Sequence, residues 1–139
     1  MRVIGYVTPR NFEGFVIPVP AQSLCLREFA KSQKLIFVLP QLELYFEDCY
    51  MQLFSLVKII NRGEILAMYS ASMLPLNLDK LKYFFSELES KKAKVHFVLE
   101  AKTIKNFDEA RTILFSYSLK NMFDKMHQID VSDIRNHHI

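Results

Sequence analysis

The 139-residue chain has no tryptophan, three glycines, five prolines and two cysteines. So little glycine and proline beside 50% hydrophobic residues excludes a collagen, a low-complexity linker and a disordered tail. Gly5 and Gly14 do not make a dinucleotide fingerprint, and there is no glycine-rich P-loop. Cys25 and Cys49 belong to no C-x-x-C pair, and the opening residues lack the layout of a secretory signal. Both cysteines therefore read as small buried hydrophobes within helices, without a disulfide, and the expected location is cytoplasmic. His96, His127, His137 and His138 do not fall at zinc-ligand spacing, so neither metal nor cofactor is expected. No apolar run reaches the ~20 residues of a membrane span. Excess charge of one sign is also missing: 18 Lys and Arg stand against 15 Asp and Glu, a net +3. That is too little to argue for nucleic acid. The densest basic cluster, Lys91, Lys92 and Lys94, falls where a helix is predicted to end, and cations there complement the helix dipole.

What is present is an alternation of short apolar runs and helical patterns. Residues 2–7, 35–39, 65–69 and 95–99 are short, predominantly apolar runs. Their lack of alternation predicts strands covered on both faces, as in parallel sheets. Helical spacing of apolar residues fills 21–32, 45–62 and 78–90, with Pro20 at the first turn, Gly63 as the residue ending the second helix and Asn77 as the cap of the third. A β-α-β-α-β-α-β-α order predicts a three-layer α/β sandwich around a mostly parallel four- or five-stranded sheet. One domain over 1–127 and a polar tail over 128–139 are expected.

The last predicted helix, 107–126, opens on Asn106 with Glu109 three residues on, a capping arrangement. It has two apolar sides. Phe107, Ala110, Ile113, Leu114 and Tyr117 line one; Phe115, Leu119, Met122, Phe123 and Met126 line the other. One sheet cannot bury both, so the second stripe predicts a second copy of the chain.

In open α/β sheets ligands bind beyond the carboxyl ends of the strands. Residues 8–22, which follow the first strand, hold three of the five prolines and place Thr8, Arg10, Asn11, Glu13 and Gln22 there. Phe12, Phe15, Val16 and Ile17 equally suit a cover over the end of the sheet. Glu43, Ser70, Ser72 and Glu100 follow the other strands. Arg10 has the chemistry to bind a carboxylate or phosphate, and Glu43 or Glu100 that of an acid or base once desolvated. Ser70 and Ser72 lack the context of a nucleophile elbow.

Arg-Val-Ile-Gly-Tyr-Val at 2–7, Gln22 with Leu26-Arg27-Glu28-Phe29-Ala30, the stretch from Ile65 to Leu81, and Lys94–Glu100 with the helix from Phe107 resemble the catalytic domain of serine recombinases. The resemblance implies a resolvase-like, flavodoxin-like fold with a long C-terminal dimerisation helix. By alignment on the first strand, Thr8 stands where that family has an arginine and Arg10 where it has the nucleophilic serine. Ser72, Met73 and Leu76 occupy the Asp, Arg and Arg positions of its Asp-Arg-Leu-x-Arg motif. Phosphoryl transfer to serine needs the hydroxyl and the cationic clamp, so recombinase activity is expected to be absent.

A second resemblance rests on Gly5-Tyr6-Val7-Thr8-Pro9-Arg10, Phe12-Glu13-Gly14, Ile17-Pro18-Val19-Pro20-Ala21-Gln22, Leu39-Pro40, Glu43 and Cys49-Tyr50. These resemble the bacterial sporadic carbohydrate cluster proteins, which implies a role in cell-surface polysaccharide biosynthesis. Three functions follow as expectations. The first is binding of a sugar or nucleotide sugar at the loop after the first strand. The second is an isomerase or transferase of that pathway using Arg10, Glu43 and Ser72. The third is a degenerate recombinase-like module that binds DNA or oligomerises.

Overall fold

A computed structural model describes residues 1–9, 17–39, 42–43, 49–117 and 119. Five strands, β1 (Arg2–Tyr6), β2 (Ile36–Val38), β3 (Ile65–Met68), β4 (Lys94–Phe97) and β5 (Lys102–Ile104), form one sheet in the order β2-β1-β3-β4-β5. The first four are parallel, and β5 runs antiparallel to β4. Each of the four apolar runs holds a strand that ends one or two residues early, and β4 also begins one residue before its run, at Lys94. β5 was not among those runs: Lys-Thr-Ile is too short and polar to form one, and it is an edge strand with two exposed residues.

Helices α1 (Val19–Ser32), α2 (Met51–Ile59) and α3 (Leu78–Ser90) connect the parallel strands, with a 3-10 turn at Ala71–Met73. Residues 107–117 form a further helix, α4. Strand alternation divides the core into two layers. Val3, Val7 and Ala67 pack with Leu26 and Ala30 of α1. Ile4, Tyr6, Leu66, Met68, Val95 and Phe97 face the other way, against α2, α3 and α4. Gly5 lies in the α1 layer, where a Cβ would come within 2.9 Å of the Phe37 ring. None of the described helices is long and apolar enough to cross a membrane.

The predicted caps of α3 and α4 form. Asn77 Oδ1 accepts from the amides of Asp79 and Lys80 at 2.9 and 3.1 Å. Asn106 Oδ1 accepts from Glu109 N at 2.9 Å, and the Glu109 carboxylate reaches back to Lys105 N. The predicted end of α2 is different. The helix stops at Ile59, four residues before Gly63, because Ile60 turns extended (ψ 139°). Gly63 instead takes a positive φ of 79° in a turn closed by Glu64 N to Asn61 O. The start of α2 also differs: it begins at Met51, so Cys49 precedes it, and 44–48 lie outside the described residues.

Lys91 caps two helices. It ends α3, and its Nζ donates to Val57 O at 2.8 Å and to Lys58 O, both carbonyls in the last turn of α2. At the same end of the sheet Arg2 holds Glu64 through Nε at 2.6 Å and Nη2 at 3.0 Å. Arg2's guanidinium keeps the Glu64 carboxyl below the ordinary glutamate range, against the opposing effect of its burial.

Candidate functional site

The carboxyl ends of β1 to β4 share one edge of the sheet, because all four strands run the same way. Hydrogen bonds gather the candidate residues there into two groups.

The first group lies beyond β1 and β2. Gln22, buried on α1, donates through Nε2 to Thr8 O and Ile17 O, both at 2.8 Å, and accepts from Thr8 N at 3.2 Å. One amide therefore joins both ends of the 8–17 connection. Such pairing suits a buried glutamine, whose amide must be satisfied. Thr8 is also buried. Arg10, Asn11 and Glu13 lie outside the described residues.

Glu43, almost completely buried, belongs to the same end. Its backbone amide donates to Val7 O at 3.1 Å, next to β1. Its carboxylate accepts from the Tyr6 hydroxyl at 2.8 Å and from the amides of Gln52 and Leu53 at 3.1–3.2 Å. Cys49 Sγ lies 3.5 Å from the same group. A carboxylate on the first free amides of a helix meets both unpaired donors and the positive end of the dipole. Glu43 thus supplies the N-terminal cap that α2, preceded by Tyr50, does not find locally.

The second group lies beyond β3 and β4. Ser70 caps the 3-10 turn by accepting from Ser72 N at 3.2 Å, and the two hydroxyls are 2.8 Å apart. Ser70 Oγ also lies 2.7 Å from Glu100 Oε1. Glu100 accepts from Ala71 N at 3.2 Å and from the hydroxyl of Tyr117 on α4. Glu100 reaches this place from the tip of the β4–β5 connection, where the next residue, Ala101, adopts a left-handed φ of 53°. A pocket of about 170 Å³ adjoins the group, lined by Glu100, Lys102, Ile113, Ser116 and Tyr117.

Ser70, Ser72 and Glu100 are therefore brought together, as are Thr8 and Gln22, with Glu43 bonded to the neighbouring Val7. In both groups the polar atoms bind backbone and hydroxyls of the chain itself. Sequence reasoning passed over the two tyrosines: Tyr6 lies in an apolar strand and Tyr117 on a core stripe. A buried tyrosine hydroxyl requires a partner, and that requirement is the signal that pairs each with a carboxylate.

The last helix keeps one predicted side. Ala110 and Ile113 are buried in the core, with Phe107, Leu114 and Tyr117 packed against it. On the other side Phe115 is 65% exposed and Leu119 51%. Met122, Phe123 and Met126 lie outside the described residues.

No family model matches the chain, and no curated protein does. Neither comparison shows the carbohydrate cluster family that the motifs suggested. Solved structures are similar in fold. The N-terminal catalytic domain of TP901-1 integrase superposes with a TM-score of 0.56 at 14% identity, covering 90% of this chain and 98% of that one. A resolvase family site-specific recombinase from Streptococcus pneumoniae gives a TM-score of 0.55 at 10% identity, covering 96% and 99%. At such identities the likeness is one of architecture: the chain has the α/β fold of resolvase catalytic domains.

Proposed function

We propose that this chain is a resolvase-fold module that acts by associating with a second copy of itself through the outer stripe of α4, without recombination chemistry. The observation that carries the reading is the exposure of Phe115 and Leu119, four residues apart, on a helix whose opposite side is already in the core. The loss of chemistry is supported by the residues at the aligned catalytic positions. Thr8 is buried, with its backbone amide and carbonyl tied to Gln22, and Met73, at an aligned arginine position, is fully buried and uncharged. The carboxylates of Glu43 and Glu100 serve as acceptors for helix amides and tyrosine hydroxyls.

Sedimentation velocity over a range of concentrations tests the reading. The expected result is reversible self-association that Phe115→Glu with Leu119→Glu abolishes while the fold is kept. A monomer at every concentration would refute it. A salt-dependent DNA complex in a gel shift, unaffected by those substitutions, would move the module to the DNA-binding reading instead.

A further inference from the structure

We infer that Glu100 is a positioning residue that latches α4 to the carboxyl edge of the sheet and so sets how the Phe115 stripe is presented. The inference rests on the self-association reading for its consequence, but not for the latch itself.

Its Asn106 cap and packing hold the start of α4. Ala110 and Ile113 sit within the core, and Phe107 lies below the cations of Lys82 and Arg111. Beyond Ile113, Leu114 and Tyr117 still pack against the core, but the turn has an open side. Phe115 and Ser116 are exposed, and the pocket of about 170 Å³ separates this turn from the β4–β5 connection. Across that gap the Tyr117 hydroxyl donates to Glu100. The same carboxylate is held from behind by Ser70 Oγ at 2.7 Å and Ala71 N at 3.2 Å. Ser72 in turn fixes Ser70 through its amide and hydroxyl. A chain of polar contacts therefore runs from the 3-10 turn after β3, through Glu100, to the last described turn of α4. A hydrogen bond to a carboxylate is stronger than one between neutral groups, so it adds to the packing of Leu114 and Tyr117 in restraining this turn.

The geometry makes Ser70 a remote control on α4. Among the described residues Ser70 bonds Glu100 and Ser72 and makes no hydrogen bond to α4, so a latch through Glu100 is the route by which its loss reaches the helix.

Hydrogen exchange on the full chain tests this, measured in a Phe115→Glu background so that association cannot protect the helix. Tyr117→Phe keeps the ring and removes the hydroxyl. Ser70→Ala removes the support behind Glu100. Both are expected to speed exchange of the 114–117 amides roughly tenfold while α2 and α3 stay as they were. Unchanged exchange in α4 in both variants would overturn the latch, as would an equal rise across α2 and α3. With Phe115 restored, each variant should also weaken self-association. A wild-type chain that never associates would remove the self-association reading and leave the exchange result to decide the latch.

Discussion

The Tyr6 hydroxyl, at the carboxyl end of β1, donates to the Glu43 carboxylate at 2.8 Å, and that carboxylate caps α2. One buried group thus joins the sheet to a helix with which it has no local sequence connection. Replacing Glu43 by alanine strands the Tyr6 hydroxyl and the amides of Gln52 and Leu53 without this acceptor. The expected loss is about 3 kcal/mol, read from the denaturant midpoint. An unchanged midpoint would return Glu43 to the list of binding or catalytic groups, since a residue kept for chemistry is not needed for stability.

Gly5 faces the Phe37 ring at a distance that admits no Cβ. Gly5→Ala should push the ring and the edge strand that carries it outward, at a cost of about 1–3 kcal/mol. Thermal unfolding measures it. A second change, Phe37→Leu, should recover part of the loss by making room, and no recovery would mean the strain lies elsewhere.

Helices α1 and α3 end alike. After each, a lysine, Lys34 or Lys92, takes a left-handed φ of 58° or 50°. The amide of the following residue returns to the helix, Leu35 N to Ala30 O and Ala93 N to Leu88 O. Glycine is the usual residue at this position because it has no Cβ to crowd the carbonyl. Lys34→Gly and Lys92→Gly should each stabilise the fold by about 0.5–1 kcal/mol despite the greater freedom gained by the unfolded chain. Calorimetric midpoints that fall in both variants would contradict this.

His96 stacks on Phe29 with ring centroids 3.7 Å apart, and its Nδ1 lies 2.8 Å from Thr103 Oγ1. Burial pushes its pKa below the ordinary histidine range, and the nearby Glu100 carboxylate pulls weakly the other way. The folded state then binds this proton less readily than the unfolded chain. Its contribution is fully present above the ordinary histidine pKa and is lost as pH falls through the lowered value. Denaturant midpoints across that interval should fall as pH is lowered in the wild type and be flatter in His96→Gln. Identical slopes would show that another group titrates there.

The four parallel strands were legible because each falls largely within a predominantly apolar run, and the caps of α3 and α4 because Asn77 and Asn106 bond amides within three residues of themselves. β5 was not legible, since its pairing with β4 uses backbone groups and only Ile104 is buried. The roles of Glu43 and Glu100 were hidden for a different reason. Glu43 caps an amide ten residues ahead, and Glu100 reaches one 29 residues behind. No local window contains both donor and acceptor. Placing both carboxylates at the sheet's edge was right, but their partners emerge only once the strands are aligned.

Helix α2 has nine residues and carries two foreign charges at its ends: Glu43 at the first amides and the Lys91 ammonium at the last carbonyls. A helix this short is marginal in water on its own. Its anionic partner becomes available when the chain beyond β2 docks beside β1, and its cationic partner when α3 has formed. α2 is therefore a product of assembly and not a seed for it. Its amides should open to solvent only when the whole domain does, which makes this small helix a reporter of global unfolding.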